Sequence, residues 1–141
     1  MSNAERFIQA FTERWHQPDP DRLAELYHPE GKLLHPGMGE PIGRDQLPGY
    51  LARVLSVFPD VRLEPTAWAS KGDIVFVEWT MTATFRGQQI QWNGADRFTL
   101  RGDLAIEGVA YFDSLPLWIL IDPSMKRGDL LAAAAPAAAQ S

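Results

Sequence analysis

Apolar side chains return along this chain at two different intervals, and the change from one to the other divides it in two. Phe7, Ile8, Phe11 and Trp15 recur at helical spacing with Glu5, Arg6, Glu13 and Arg14 between them, which predicts an amphipathic helix from about residue 3 to residue 16. Pro18-Asp19-Pro20 breaks that helix, and Asp19 is placed to cap a short second one carrying Leu23, Leu26 and Tyr27. Pro29-Glu30-Gly31 reads as a turn, followed by a short strand from Lys32 to His35 that stops at Pro36-Gly37. The Gly- and Pro-rich stretch from Met38 to Gly43 reads as a loop. Helical spacing then resumes at Leu47, Leu51, Val54, Leu55 and Phe58, predicting a helix over Arg44 to Phe58 that tolerates Pro48 in its first turns and ends at Pro59-Asp60.

From Val61 onward the period becomes two. Val61 and Leu63 with Ala67 to Ala69, then Asp73 to Phe85, Gln88 to Leu100 and Leu104 to Phe112, read as four consecutive strands. Lys71-Gly72-Asp73, Arg86-Gly87 and Arg101-Gly102-Asp103 are turns tight enough to make neighbours antiparallel. Helices first and a long antiparallel meander afterwards predict an α+β fold rather than alternating βαβ units. If Arg86-Gly87 is a two-residue hairpin turn, Phe85 lies opposite Gln88, Met81 opposite Trp92, Trp79 opposite Gly94 and Val77 opposite Asp96. One face then carries Val75, Val77, Trp79, Met81, Ala83 and Phe85 beside Ile90, Trp92, Gly94, Asp96 and Phe98, and Asp96 is its only charge. The other face carries Glu78, Thr80, Thr82, Thr84, Arg97 and Thr99, polar enough to meet water or a partner subunit.

An unpaired carboxylate on an apolar face is too costly to keep for packing, and burial raises its pKa until it can stay protonated and act as a hydrogen-bond donor or acid. Asp96 is therefore the leading catalytic candidate. His35, at a strand end, is the second, because a neutral imidazole can take a proton from an acidic carbon while a carboxyl group stabilises the enolate oxygen. Trp79 and Trp92 offer wide aromatic walls with N–H handles, and Val77, Met81, Phe98 and Tyr111 complete the expected substrate-binding lining. Glu107 and Asp113 read as a solvated strand edge, and His16 and His28 as helix-end or surface groups.

Composition narrows the chemistry. With 141 residues, 45% of them hydrophobic, the chain suits one well-filled core, read as a single domain over 1–125 followed by an Ala-rich, flexible tail over 126–141. Its 13 Lys plus Arg against 18 Asp plus Glu form no basic cluster, which argues against nucleic acid. No cysteine is present, in keeping with a cytoplasmic protein, and the N-terminal helix is too charged for a signal peptide or a membrane span. Three histidines without metal spacing predict no metal, and no phosphate loop, dinucleotide-binding glycine motif or Gly-x-Ser-x-Gly element appears. No cofactor is expected.

The helical pair, the strand that stops at Pro36-Gly37, the helix ending in Phe58-Pro59-Asp60, and Gly94-Ala95-Asp96-Arg97-Phe98 with the later run from Glu107 to Tyr111-Phe112-Asp113 resemble the SnoaL-like polyketide cyclases over about residues 4 to 118. That family belongs to a cone-shaped superfamily with the ketosteroid isomerases, limonene epoxide hydrolase and nuclear transport factor. The resemblance implies a cone-shaped barrel of a strongly curved, mostly antiparallel sheet wrapped around the N-terminal helices and enclosing an apolar pocket. Asp96 falls at the cyclases' pocket aspartate, and His35 at the strand-end position where ketosteroid isomerases carry a carboxylate base. Histidine there is a departure, and the isomerases' oxyanion tyrosine on the first helix is replaced by Phe11 and Trp15. The activity implied is that of a lyase or isomerase, which abstracts a proton next to a carbonyl of an apolar, polycyclic-sized substrate and then closes an aldol ring or shifts a double bond. A non-catalytic binding module and an epoxide hydrolase-like enzyme are the rivals. The resemblance further implies a homodimer through the open sheet face near Thr82, Thr84 and Arg97.

Overall fold

Ser2 sets where the first helix begins: its hydroxyl accepts from the Glu5 backbone N–H at 3.0 Å, relieving one of the unpaired donors of the first turn. The structure is a computed structural model describing residues 1–36, 39–122 and 124; the expected tail over 126–141 lies outside the described residues, as does Met38. Helix α1 spans Asn3–His16 and buries Ala4, Phe7, Ile8 and Phe11 along one stripe, as the spacing predicts. Asp19 caps α2, Pro20–Ala24, by accepting from Arg22 N at 3.0 Å. The helix is shorter than expected. Tyr27 opens strand β1, Tyr27–Leu34, and Pro29-Glu30-Gly31 lies inside that strand rather than in a turn, where its register against a neighbour slips between Tyr27 and Lys32. A register slip tolerates a proline because no ladder N–H is needed there.

Ile42–Gly43 form a two-residue strand, β2, within the stretch expected to be loop, and a single 3₁₀ turn, Arg44–Gln46, leads into α3, Leu47–Val57. Strands β3, Arg62–Lys71, β4, Ile74–Phe85, β5, Gln88–Arg101, and β6, Leu104–Phe112, come next, as the period-two pattern predicts. A short helix, α4, Leu115–Ile121, completes the described chain. The sheet runs β2-β1-β6-β5-β4-β3, antiparallel throughout except where β1 lies parallel to β6. Its concave face closes on α1 and α3, with Phe98 packed against Phe7 and Phe11 at ring separations of 4.7 and 5.6 Å.

Arg86 and Gly87 have φ of 51° and 78°, the paired left-handed conformation of a two-residue hairpin turn, so Phe85 meets Gln88 and the count back to Val77 opposite Asp96 holds. The next hairpin does not count so simply. Ile106 is an extra residue between the pairs Thr99–Glu107 and Leu100–Ala105, and this bulge shifts every later residue of β6 by one place. Ala110 and Phe112 turn inward as a result. Tyr111, expected in the pocket lining, stands on the outer face beside Ala95 and is 48% exposed.

Candidate active site

Between the sheet and the helices lies a cavity of about 260 Å³, bounded by α1, β1, α3 and the inner residues of β3 to β6. The structure brings Asp96, His35, Trp79, Met81, Trp92 and Phe98 together on its wall. Val77 is fully buried opposite Asp96 but does not reach the cavity, and Tyr111 instead borders a shallow hollow beside Trp118 and Ile121 of α4. Two groups that the sequence pattern did not single out complete the polar lining: Tyr27 from β1 and Tyr50 from α3. Among the described residues, Asp96 is the sole carboxylate there, and no lysine or arginine joins it.

The placement of the two candidates is a matter of register. Leu34 of β1 pairs with Val109, so His35, one step on, lies beside Ala110, and Ala110 pairs with Asp96. His35 and Asp96 therefore flank a strand on the same face of the sheet, about 10 Å apart at the backbone given ~4.8 Å per strand. The methyl group of Ala110 between them leaves room for a ligand atom.

Asp96 is half-buried and lines the cavity among mostly apolar side chains. Burial raises its pKa from 3.8 to about 7. The Trp79 indole N–H opposes that rise in part, although neither Trp79 Nε1 nor Asp96 Oδ1 completes a hydrogen bond. Gly94 makes the Trp79 position possible, since a Cβ there would stand 2.6 Å from the indole ring. Gly108 does the same for Tyr27, whose hydroxyl would meet a Cβ at 2.5 Å. The Tyr27 hydroxyl is held un-ionised by burial and then by the nearby Asp96 charge.

His35 does not present a free imidazole. Its Nε2 and the Tyr50 hydroxyl share a hydrogen bond of 2.8 Å, its ring meets Phe112 edge-on at 6.0 Å, and its Nδ1 is buried with no partner. Burial lowers the His35 pKa below 6.5, and burial raises that of Tyr50, with Arg53 pulling it back and Asp96 adding to the rise. Both groups are neutral at pH 7. Sequence reasoning missed Tyr50 because its helical neighbours said only that α3 is amphipathic, whereas its partner comes from a strand end 15 residues earlier. No three His, Cys, Asp or Glu side chains cluster to hold a metal ion among the described residues, and no helix there is long and apolar enough to cross a membrane.

Comparison with known proteins agrees with this architecture. The family model described as a SnoaL-like domain matches residues 6–108. No curated protein matches the chain. Among solved structures, an NTF2-like protein of unknown function from Burkholderia pseudomallei superposes with a TM-score of 0.75 at 21% identity, covering 86% of this chain and 99% of that one. A candidate SnoaL-like polyketide cyclase from Jannaschia sp. CCS1 gives 0.72 at 21%, covering 87% and 93%. TerC, co-crystallised with polyporic acid, gives 0.74 at 26%, covering 86% and 99%. The fold is thus the curved α+β cone of the nuclear transport factor-like proteins.

Proposed function

This chain belongs to the SnoaL-like domain family, and from that premise we propose that it is a cofactor-free enzyme of the cyclase or isomerase type, acting by acid–base chemistry on an apolar carbonyl compound. The observation that carries the reading is Asp96, alone as a charge-bearing group in an apolar cavity and facing the His35–Tyr50 pair across Ala110. A carboxyl with a pKa near the operating pH exchanges protons with carbon acids efficiently, because both of its forms are populated. When the proton next to a carbonyl leaves, its electron pair moves onto the carbonyl oxygen; the resulting enolate either attacks a second carbonyl to close a ring or is reprotonated at another carbon.

The lining constrains the substrate. At about 260 Å³ the cavity falls below the ~300–1,000 Å³ usual for drug-sized ligands, which favours one or two fused rings over a full polycycle. Without a lysine or arginine in the lining, a substrate carboxylate or phosphate would lie unpaired, so the ligand is uncharged where it is buried. Co-crystallisation of the structural neighbour TerC with polyporic acid is in keeping with a cavity for a small organic molecule. The hydrolase alternative calls for a second carboxylate to hold water, and Asp96 stands alone in the described lining. A binding role without turnover is the remaining rival. The same reading carries a homodimer across the outer sheet face, where Ile74 and Phe76 are exposed near Arg97; Phe76→Glu should then shift the light-scattering mass to that of the monomer.

The test of catalysis is deuterium uptake next to the carbonyl of 2-tetralone and related aryl ketones in D₂O, monitored by proton NMR. We expect acceleration by the wild type and a fall of roughly 100-fold or more in Asp96→Asn, with a smaller fall in His35→Ala. No acceleration for any ketone, or rates in both variants equal to that of the wild type, would leave only the binding role.

A further inference from the structure

The hydrogen bond between Tyr50 and His35 can run in either direction, and the two directions give the cavity different chemistry. If the Tyr50 hydroxyl donates to Nε2, the imidazole proton sits on Nδ1, which is buried without a partner. That leaves an orphaned N–H, a rare and costly feature of folded proteins. If Nε2–H donates instead, only a lone pair on Nδ1 is left unmet, and the Tyr50 hydrogen is released to point elsewhere. Tyr50 lines the same cavity as Asp96 and lies close enough to feel its charge.

We propose that Tyr50 is the catalytic hydrogen-bond donor to the substrate's carbonyl oxygen, with His35 behind it as the positioning residue that donates Nε2–H to the Tyr50 oxygen, and with Asp96 as the base. This assignment rests on the acid–base reading of the cavity and gives its groups direction. Asp96 carboxylate takes the proton from carbon, the C–H electron pair passes into the enolate, and the growing negative charge on oxygen is met by the Tyr50 O–H. His35 Nε2 is engaged in holding the phenol, and Asp96 is the sole carboxylate of the described lining, which gives it the role of base. Burial raises the Tyr50 pKa and so keeps the donor proton in place, while Arg53, one helical turn on and 6.0 Å from the centre of the ring, opposes that rise in part.

Two measurements test the assignment. The first is the ¹⁵N shift of both His35 ring nitrogens in labelled protein, identified by their loss in His35→Gln. We expect a protonated Nε2 and a bare Nδ1; the opposite tautomer overturns the proposal. The second compares binding of 2-naphthol, whose oxygen stands in for the enolate oxygen, with binding of naphthalene, which lacks it. Tyr50→Phe should weaken 2-naphthol by about tenfold, the loss expected for one hydrogen bond, and leave naphthalene within about twofold. Equal losses for both ligands would make Tyr50 a packing residue, and no loss for either would remove it from the site; each overturns the proposal. If the wild type binds neither, the small-aromatic reading of the cavity fails while the tautomer still decides the direction of the bond. Ketone exchange in Asp96→Asn reports on the catalytic reading separately. Unchanged exchange with a selective loss of 2-naphthol in Tyr50→Phe would sink the catalytic reading and keep the donor.

Discussion

Asp96 and Arg97 are consecutive in one strand and live in opposite worlds. Arg97, on the outer face, is paired with Glu107 at 3.3 Å; Lys32 lies 3.9 Å from the same carboxylate, and Thr80 and Asn93 bond each other nearby. Arg97 and Lys32 thus share the Glu107 carboxylate as their counter-charge. Asp96, on the inner face, has no countercharge in the cavity and one carboxyl oxygen without any partner. The outer row is what a sheet does with polar residues when solvent is at hand. The inner carboxyl has no such structural reason, which is why the cavity reads as a site rather than a gap in the core.

On this contrast the largest effect belongs to Asp96. Asp96→Asn should lower the rate of ketone proton exchange by roughly 10²–10⁴, whereas Arg97→Ala should leave it within about threefold. For the wild type the rate should rise with pH through about 7, the Asp96 value, because the base is the ionised form; a rate flat from about pH 5 to 9 would remove Asp96 as the base.

Stability should move the opposite way. Asp96 has a folded pKa raised from 3.8 to about 7, so the folded state holds its proton more tightly than the unfolded state does. Its contribution is fully present below pH 3.8 and is lost as pH rises through about 7. At about pH 8, Asp96→Asn should therefore be the more stable protein, by up to roughly 4 kcal/mol, with the gap closing toward about pH 4 in urea melts. A constant difference across that range would place the carboxyl in water. His35, whose pKa is lowered, adds stability that is lost as pH falls below its unfolded value of 6.5, so the comparison is made between variants rather than read from the wild-type profile alone.

Packing gives an intermediate effect. Gly94→Ala puts a methyl 2.6 Å from the Trp79 ring and 2.5 Å from the Tyr111 carbonyl oxygen, and should cost about 1–3 kcal/mol in thermal unfolding. The smallest effect lies outside: Arg97→Ala breaks an ion pair whose side chains keep 28% and 30% of their surface in water, and should cost less than about 1 kcal/mol. A larger loss would mean that the outer row is covered, as it would be in a dimer.

Some of this molecule was legible in the order of its residues. The alternation along β4 and β5 and the Arg86-Gly87 turn determined which side chains share a face, because a two-residue hairpin allows a short count with no freedom to slip. That alone put Asp96 among Trp79, Trp92 and Phe98. The helices α1 and α3 were legible for the same reason, a local period matched to a local element.

The tertiary structure decided the rest. The bulge at Ile106 turned Tyr111 outward and brought Ala110 and Phe112 in, and one unpaired residue leaves little trace in an alternating pattern. The parallel pairing of β1 with β6 set His35 beside Ala110, although most of the chain separates the two strands, and the packing of α3 over that edge delivered Tyr50 to the imidazole. Local sequence dictates which face a side chain takes on its own element; which elements then meet depends on the burial of the whole chain, and that is where the candidate site acquired its second pole.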